Sequence, residues 1–379
     1  MSNLRVAYVI NDAAFFVSHR MPLALNVLKI GGKVCVITGF NLNQEIEKEA
    51  IESLKKNNIP LYKCKFSQGI SNPIFEIIGL LQLVFFLKSF KPTTIHSATA
   101  KGNLMASIAC NFISQSKLIM AISGLGTMFV GRIGFKKLVF QFMYKLFVRL
   151  SLKRINYEMI FQNKNDYENY KSIFHFKESE AKLIYGSGVD TENLVPFLQS
   201  TNKRKILLPA RMLYEKGIEE FVLASRFLKE KNIKGEFYIA GDTVSVNPSA
   251  ISKEKIKEWV KEGLIIYLGH QNDIKKMYQD MSIVCLPSWR EGFPKVLMEA
   301  ASLGLPVITT DVPGCKDAVI ENKTGLIVPV RDHIKLAEAI KVLFENPKLR
   351  KKMGKENRVL AEKKFDLNII VPQIINLYI

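Results

Sequence analysis

The chain has 379 residues, 48% hydrophobic and 23% charged, with a formal net charge of +19. This composition excludes a disordered or fibrous protein, and the length suits two globular domains of ordinary size. Five scattered cysteines (Cys35, Cys64, Cys110, Cys285, Cys315), with no CxxC or Cys/His ligand spacing, exclude a disulfide scaffold and predict reduced, mostly buried thiols.

The opening residues, MSNLRVAYVINDAAFF, read as a strand and a loop, without the charged-then-apolar layout of a signal peptide. Alternation then sets in: strand Arg5–Ile10, helix Met21–Lys29, strand Lys33–Thr38, a helix near Leu42–Lys56 and a strand near Leu61–Phe66. The long helix from Pro73 follows. Its apolar run to Phe90 is broken by Glu76, Gln82 and Lys88, which leaves it short of a membrane span. A cytoplasmic protein is expected. Strand Thr93–His96, helix Lys101–Ile113, strand Lys117–Ile122, a basic helix and strand Met159–Gln162 complete the first half. Such alternation predicts a doubly wound, mostly parallel α/β sheet.

Charge is unevenly placed. Residues 1–155 carry 20 basic against 6 acidic residues, a net of +14, and residues 156–379 a net of +5. The excess peaks in Gly131–Ile155, with seven basic residues and no acidic one. Apolar residues recur there at helical spacing (Leu138, Phe142, Leu146, Phe147, Leu150). A basic amphipathic helix of this kind predicts a membrane-facing surface through Arg132, Lys136, Lys137, Lys145 and Arg149; a solvated face on a core helix is the alternative. No basic/aromatic readout motif is present, so nucleic acid is not an expected partner.

Tyr185–Asn202 is rich in turn formers and interrupts the pattern. The predicted domains are 1–186, a linker at 187–203, a second domain at 204–360, and a terminal helix, 361–379, returning to the first. In the second domain the order is strand Lys205–Leu208, helix Gly217–Leu228, strand Glu236–Ala240, helix Lys253–Lys261 and strand Ile265–Leu268. Then comes a βαβ unit: strand Ile283–Leu286, helix Pro294–Gly304 and strand Val307–Thr310. The tail from Ile334 reads as helical throughout.

In open α/β sheets, ligands bind beyond the carboxyl ends of the strands. Four such loops in the second domain carry polar groups. Pro209–Gly217 offers Arg211, a planar fork for phosphate oxygens, and Lys216, a point charge. The next two strands end in Gly241-Asp242 and Gly269-His270. The last loop brings Glu291 and the helix start at Pro294, whose free amides favour a phosphate. Glu299 lies within that helix, where an ordinary ion pair with Lys295 competes with a functional role. Cations and amides for phosphate, with carboxylates for hydroxyls, suit a diphosphate bearing a ribose and a sugar. Neither GxGxxG after the first strand nor GxxxxGK[ST] occurs, which disfavours a dinucleotide redox cofactor and a Walker loop. No Asp-x-Asp pair occurs either. Charge on a leaving diphosphate then falls to Arg211, Lys216 and the helix start.

Four segments carry a family resemblance: EGFPKVLMEA (Glu291–Ala300), R-x4-K-G (Arg211–Gly217), GSGVD-x5-P (Gly186–Pro196) and PGC-x-DAV-x5-G (Pro313–Gly325). Together they resemble glycosyltransferase family 4, retaining enzymes of the GT-B fold, in which two Rossmann-like doubly wound domains face each other across a cleft. The resemblance implies sugar transfer from a nucleotide-diphosphate donor, with no cofactor and no required metal. It implies that Arg211 and Lys216 hold the diphosphate, that Glu299 binds the ribose and that Glu291 contacts the donor sugar. Gly241, His270, Gly292, Phe293, Lys295 and Val296 complete the implied donor site. In the first half, NDAAFFVSHRMP (Asn11–Pro22), FSQGISNP (Phe66–Pro73), IHSATAKGN (Ile95–Asn103) and SGLGTMF (Ser123–Phe129) are similar to one bacterial subgroup, the undecaprenyl-diphosphate-linked diacetylbacillosamine α-1,3-N-acetylgalactosaminyltransferases. A polyprenyl-diphosphate acceptor is implied, contacted by His19, Arg20, Lys101, Gly124 and Gly126, with His96 as a catalytic candidate. Where many members carry a second histidine, this chain has Ala98. An enzyme on such an acceptor would sit at the inner face of the cytoplasmic membrane, held to anionic lipid by the basic helix. Other readings are a soluble or lipid-A-core acceptor, a GT-B-like nucleotide-sugar 2-epimerase, and a nucleotide-sugar-binding regulator.

Overall fold

The computed structural model describes residues 3–40, 44–67, 73–113, 115–124, 135–197, 203–243, 247 and 249–379. Two compact units divide the chain. The first holds Met1–Ser187 and Ile370–Ile379; the second holds Gly188–Ile369.

The first unit runs β1 (Arg5–Ile10), α1 (Ala13–His19), α2 (Met21–Lys29), β2 (Lys33–Phe40), α3 (Gln44–Lys56), β3 (Leu61–Ser67) and α4 (Pro73–Phe90). It continues with β4 (Thr94–Ala98), α5 (Ala100–Cys110), β5 (Lys117–Ile122), α6 (Phe135–Leu152), β6 (Tyr157–Phe161), α7 (Lys164–Phe174) and β7 (Ala181–Leu183). All seven strands are parallel, in the order β3-β2-β1-β4-β5-β6-β7. The order reverses between β1 and β4, so the chain's crossovers lie on both faces of the sheet. Burial follows: β1 is almost wholly buried and apolar past Arg5, and β4 is wholly buried with its polar Thr94, His96 and Ser97 each hydrogen-bonded within the unit.

Sequence periodicity overlooks α1, because NDAAFFVSH has no clear helical stripe. What starts it is a cap: the Asp12 carboxylate accepts from the Phe15 amide at 2.8 Å. Asn163 does the same for α7, through the Asp166 amide.

The second unit runs β8 (Lys205–Pro209), α8 (Ile218–Glu230), β9 (Glu236–Ala240), α9 (Lys253–Lys261), β10 (Ile266–Gly269), α10 (Ile274–Tyr278), β11 (Ile283–Leu286), α11 (Lys295–Ser302), β12 (Val307–Thr310) and β13 (Gly325–Val328). Helices α12 (His333–Glu345), α13 (Pro347–Leu360) and α14 (Leu367–Ile375) follow. Its strands are also all parallel, in the order β10-β9-β8-β11-β12-β13, reversing between β8 and β11. The core packs Phe221, Phe237 and Phe344 edge to face beside Ile206, Leu208 and Ile283. The expected continuous helical tail is interrupted. Asn346 leaves the helical region and caps α13 through the Leu349 amide, and extended Asp366 separates a π turn from α14. Both units are thus α/β, Rossmann-like and parallel, as predicted.

Candidate functional site

In the second unit the reversal of strand order places two loops side by side: Ala210–Gly217 after β8, and Pro287–Pro294 after β11. They are sewn together. The Ser288 hydroxyl donates to the Glu215 carbonyl at 2.9 Å, and the Trp289 amide donates to the same carbonyl at 2.9 Å. Gly217 turns the chain into α8 at φ +73°, and a Cβ there would lie 2.1 Å from the Pro287 carbonyl oxygen. Only glycine fits both the dihedral and the space.

This stitching brings Lys216 and Glu291 together, with Lys216 Nζ 2.5 Å from Glu291 Oε1. The side chains are 18% and 13% exposed. Glu291 Oε1 also lies 2.8 Å from Ser288 Oγ, so the one Ser288 proton is shared between this carboxylate and the Glu215 carbonyl. An ammonium has three N–H groups; the pair uses one, and two stay available to an anion. Arg211, five residues earlier, is exposed, and its guanidinium has no hydrogen-bond or ion-pair partner among the described residues. Beneath the pair, the Cys315 thiol is buried and pushed up to about 12, first by burial and then by the Glu291 charge.

Helix α11 opens at Pro294 with no side-chain cap, and the Leu297 amide turns back to the Pro294 carbonyl at 3.1 Å; the positive end of the helix lies at this loop. Gly292 is half-buried, while Phe293 is buried and packs edge-on against Phe365 at 5.4 Å. Glu299 is only 4% exposed. The Tyr278 hydroxyl lies 3.3 Å from Glu299 Oε2 and 3.2 Å from the Val296 carbonyl, and Lys295 Nζ is 3.7 Å from Glu299 Oε1. Burial raises the Glu299 pKa, against the opposing pull of Lys295 and Tyr278. The i,i+4 ion pair therefore exists, but as a buried feature rather than a surface one. Gly241 approaches the Ala210 carbonyl so closely that a Cβ would stand 2.0 Å from its oxygen, and its own carbonyl accepts from Tyr267 at 2.7 Å. His270 is 43% exposed, with Nδ1 3.0 Å from Asp242 Oδ2.

Sequence reasoning passed over Ser288, Tyr278 and Trp289. Trp289 donates its indole N–H to Glu220 Oε1 at 2.9 Å, and the Arg331 guanidinium lies over its ring at 3.9 Å. Only Trp289 carried a sequence signal, as a large aromatic inside the polar loop after a strand.

In the first unit, His96 is fully buried. The Arg20 guanidinium, which can only donate, gives Nε–H to His96 Nε2 at 3.1 Å. The ring proton therefore sits on Nδ1 and points at the Tyr378 hydroxyl, 2.7 Å away. Burial, then the Arg20 charge, holds the imidazole well below its usual pKa and so neutral. The Tyr378 hydroxyl lies 3.3 Å from that of Tyr8. His96 thus ties the chain end to the sheet, with both ring nitrogens engaged and no exposed edge. Arg20 is 2% exposed and also donates to the His19 carbonyl at 2.9 Å. The His19 ring stacks on Phe15 at 4.4 Å. Lys101 is 8% exposed and pairs with Glu76 at 2.7 Å. Thr99, a β-branched residue at φ +70°, caps α5 and donates to Asn11 Oδ1 at 2.7 Å, joining the loops after β1 and β4. Gly124 has φ +110°. Gly126 and Arg132 lie outside the described residues, as do the side chains of Lys136 and Lys137. Lys145 is half-buried and Arg149 exposed on α6. Among the described residues, no group of three His, Cys, Asp or Glu side chains could hold a metal ion.

Two family models match. Residues 189–359 fit "Glycosyl transferases group 1" and residues 5–163 fit "Glycosyl transferase 4-like", each close to one of the two units. The chain is 26% identical to the N,N'-diacetylbacillosaminyl-diphospho-undecaprenol alpha-1,3-N-acetylgalactosaminyltransferase of Campylobacter jejuni, over 99% of this chain and 98% of that one. It is 26% identical to a capsular polysaccharide biosynthesis glycosyltransferase of Staphylococcus aureus, over 80% of each. An Anabaena protein solved with UDP and glucose superposes with a TM-score of 0.77 at 16% identity, over 99% of both chains, and so shares the fold.

Proposed function

Because the chain belongs to the group 1 and 4-like glycosyltransferases, we propose that it is a retaining, metal-independent hexosyltransferase acting on a polyprenyl-diphosphate-linked glycan. The donor is a nucleotide diphosphate sugar, a UDP-N-acetylhexosamine or derivative. The work site is the inner face of the cytoplasmic membrane, in assembly of a surface polysaccharide or protein glycan. The observation that carries the chemistry is the loop after β8, which holds Lys216 in its pair with Glu291 and carries Arg211 exposed and without a partner among the described residues. The acceptor assignment is supported by the Campylobacter relative, which matches nearly end to end and whose name states a diphospho-undecaprenol acceptor.

In the proposed reaction the donor's anomeric C1–O bond to the β-phosphate breaks. A new C1–O bond to the acceptor hydroxyl forms on the same face of the sugar. The hydroxyl proton passes to the departing phosphate oxygen, and the nucleoside diphosphate leaves. Arg211 supplies a planar pair of N–H donors to the diphosphate, and Lys216 adds its two remaining N–H groups. The amides at the start of α11 face the same developing charge. Glu291 orients both Lys216 and the donor sugar, and Glu299 takes the ribose hydroxyls. No bond-breaking step is assigned to His96. The first unit's loops after β1 and β4 meet the acceptor, and the basic α6 meets anionic lipid.

The test is to offer UDP-GalNAc, UDP-GlcNAc, a UDP-uronic acid derivative and GDP-mannose with a synthetic polyprenyl-diphosphate sugar, with and without the prenyl chain. The expected result is one α-linked product from one UDP-sugar, requiring the prenyl diphosphate and persisting in EDTA. Transfer only to a prenyl-free acceptor would overturn the acceptor assignment. An isomerised donor in the absence of acceptor would identify a 2-epimerase, and a β-linked product would overturn retention.

A further inference from the structure

Helix α4 is built inside out. Two of its polar residues are taken up within the unit: Glu76 pairs with Lys101 on α5 at 2.7 Å, and Gln82 accepts from the Lys65 amide at 2.8 Å, while Lys88 and Ser89 stay exposed in its last turn. Its inner face, Gly79, Leu83 and Leu87, is buried against the sheet. Gly79 lies so close to β3 that a Cβ would stand 2.6 Å from the Lys65 carbonyl oxygen, which locks the helix in place. The opposite face carries Ile77, Leu81 and Phe85 at 59%, 64% and 67% exposure. These positions, four residues apart, make a continuous apolar stripe.

The stripe has a counterpart. Helix α5 packs against both α4 and α6, and the outer face of α6 exposes Val139, Phe142, Leu146 and Leu150. Half of the large hydrophobic side chains exposed among the described residues lie on these two helices. Exposed apolar surface of this extent on two helices of one unit marks an interaction site. Charge identifies its occupant. Arg149, Lys153 and Arg154 flank the apolar face at the end of α6, and residues 131–155 hold seven basic residues and no acidic one. A second copy would bring like charges together, whereas an anionic leaflet supplies both the apolar medium and the opposite charge.

By length and composition α4 could cross a membrane. Its inner face is already committed to the sheet. We therefore propose that α4 lies in the plane of an anionic bilayer and inserts Ile77, Leu81 and Phe85 below the headgroups, with α6 as a parallel apolar rail whose basic flank meets the headgroups. This rests on the proposal that the enzyme works at such a surface, and adds an insertion element that a basic helix alone does not provide.

The full chain is tested on vesicles of phosphatidylglycerol and phosphatidylcholine across a salt titration, as three proteins. These are the unaltered chain, the apolar variant Ile77→Ser/Leu81→Ser/Phe85→Ser, and the charge variant Arg149→Gln/Lys153→Gln/Arg154→Gln. Insertion predicts a salt-resistant bound fraction that the apolar variant loses, with partitioning lowered roughly 10- to 100-fold and the melting temperature unchanged or raised. The charge variant loses the salt-sensitive part. Salt-resistant binding by the apolar variant equal to the unaltered chain overturns insertion while leaving the surface reading intact. No binding by the unaltered chain overturns both. A Leu81→Cys chain gives a second measurement that does not depend on the triple variant folding, since all five native cysteines are buried. An environment-sensitive dye there shifts to the blue on adding vesicles; an unshifted spectrum with bound protein overturns the proposal.

Discussion

Replacing Lys216 by alanine separates what the ion pair does for the reaction from what it does for the fold. Removing one fixed donor to a developing phosphate charge lowers kcat about 100- to 1,000-fold. The same change strips the partner from Glu291, 13% exposed with the lysine in place, and leaves it Ser288 Oγ at 2.8 Å, whose one proton it shares with the Glu215 carbonyl. Stripping the partner from a fully buried pair costs about 3–5 kcal/mol; partial exposure of both groups brings the expected loss to about 2 kcal/mol. Lys216→Met/Glu291→Gln removes both charges, and we expect it to recover stability to within about 1 kcal/mol of the unaltered protein. It should stay as inactive as Lys216→Ala. The assays are kcat at saturating donor and urea unfolding of all three proteins. A Lys216→Ala enzyme with kcat within about 10-fold of normal would refute the role in leaving-group stabilisation. A double variant that regains activity along with stability would show that the lysine acts only through the fold.

Other outcomes follow from the same geometry. Gly217→Ala places a Cβ 2.1 Å from a backbone carbonyl at φ +73°, so it should cost about 3 kcal/mol or more and prise the two loops apart; an unfolding midpoint within error of the unaltered chain would contradict this. Glu299→Gln should raise the donor KM several-fold with a smaller change in kcat, and an unchanged KM would remove Glu299 from ribose binding. Because the Glu299 pKa is raised on folding, the native carboxylate carries a penalty that grows as pH rises above its ordinary value of 4.5. The glutamine variant should therefore gain relative stability towards neutral pH; a relative loss there would show that Lys295 and Tyr278 outweigh burial. His96 is held neutral below its usual 6.5, so acidification favours the unfolded chain, which takes up the proton. Stability should fall by about 1.4 kcal/mol per pH unit below 6.5 until the native ring protonates, a slope that His96→Gln should flatten in urea unfolding at pH 5–7.

The strands were legible because apolar, β-branched runs bounded by turn formers leave little alternative, and every predicted strand is present. The loop residues that bear charge were legible for a related reason: the strand order places Lys216 and Glu291 beyond adjacent strand ends. Partners brought in from far along the chain were not legible. Nothing in the sequence links Tyr278 to Glu299, or Tyr378 to His96 across 282 residues. β13 escaped notice because Gly325–Val328 is four residues long and follows a turn-rich segment. Glu76 and Gln82 interrupt the apolar run of α4 in sequence, yet both are held by protein partners and leave Ile77, Leu81 and Phe85 as an apolar stripe that meets the exposed Lys88 only in the last turn.

The Tyr378 hydroxyl reaches His96 on a central strand, and Thr94 donates to the Tyr378 carbonyl at 3.1 Å. The half of the molecule made first is thus unfinished until the half made second has emerged. A nascent chain bearing only the first 187 residues would hold all seven strands of this sheet but lack its closing hook, so on a vectorial route this unit would be completed only after the second had been made.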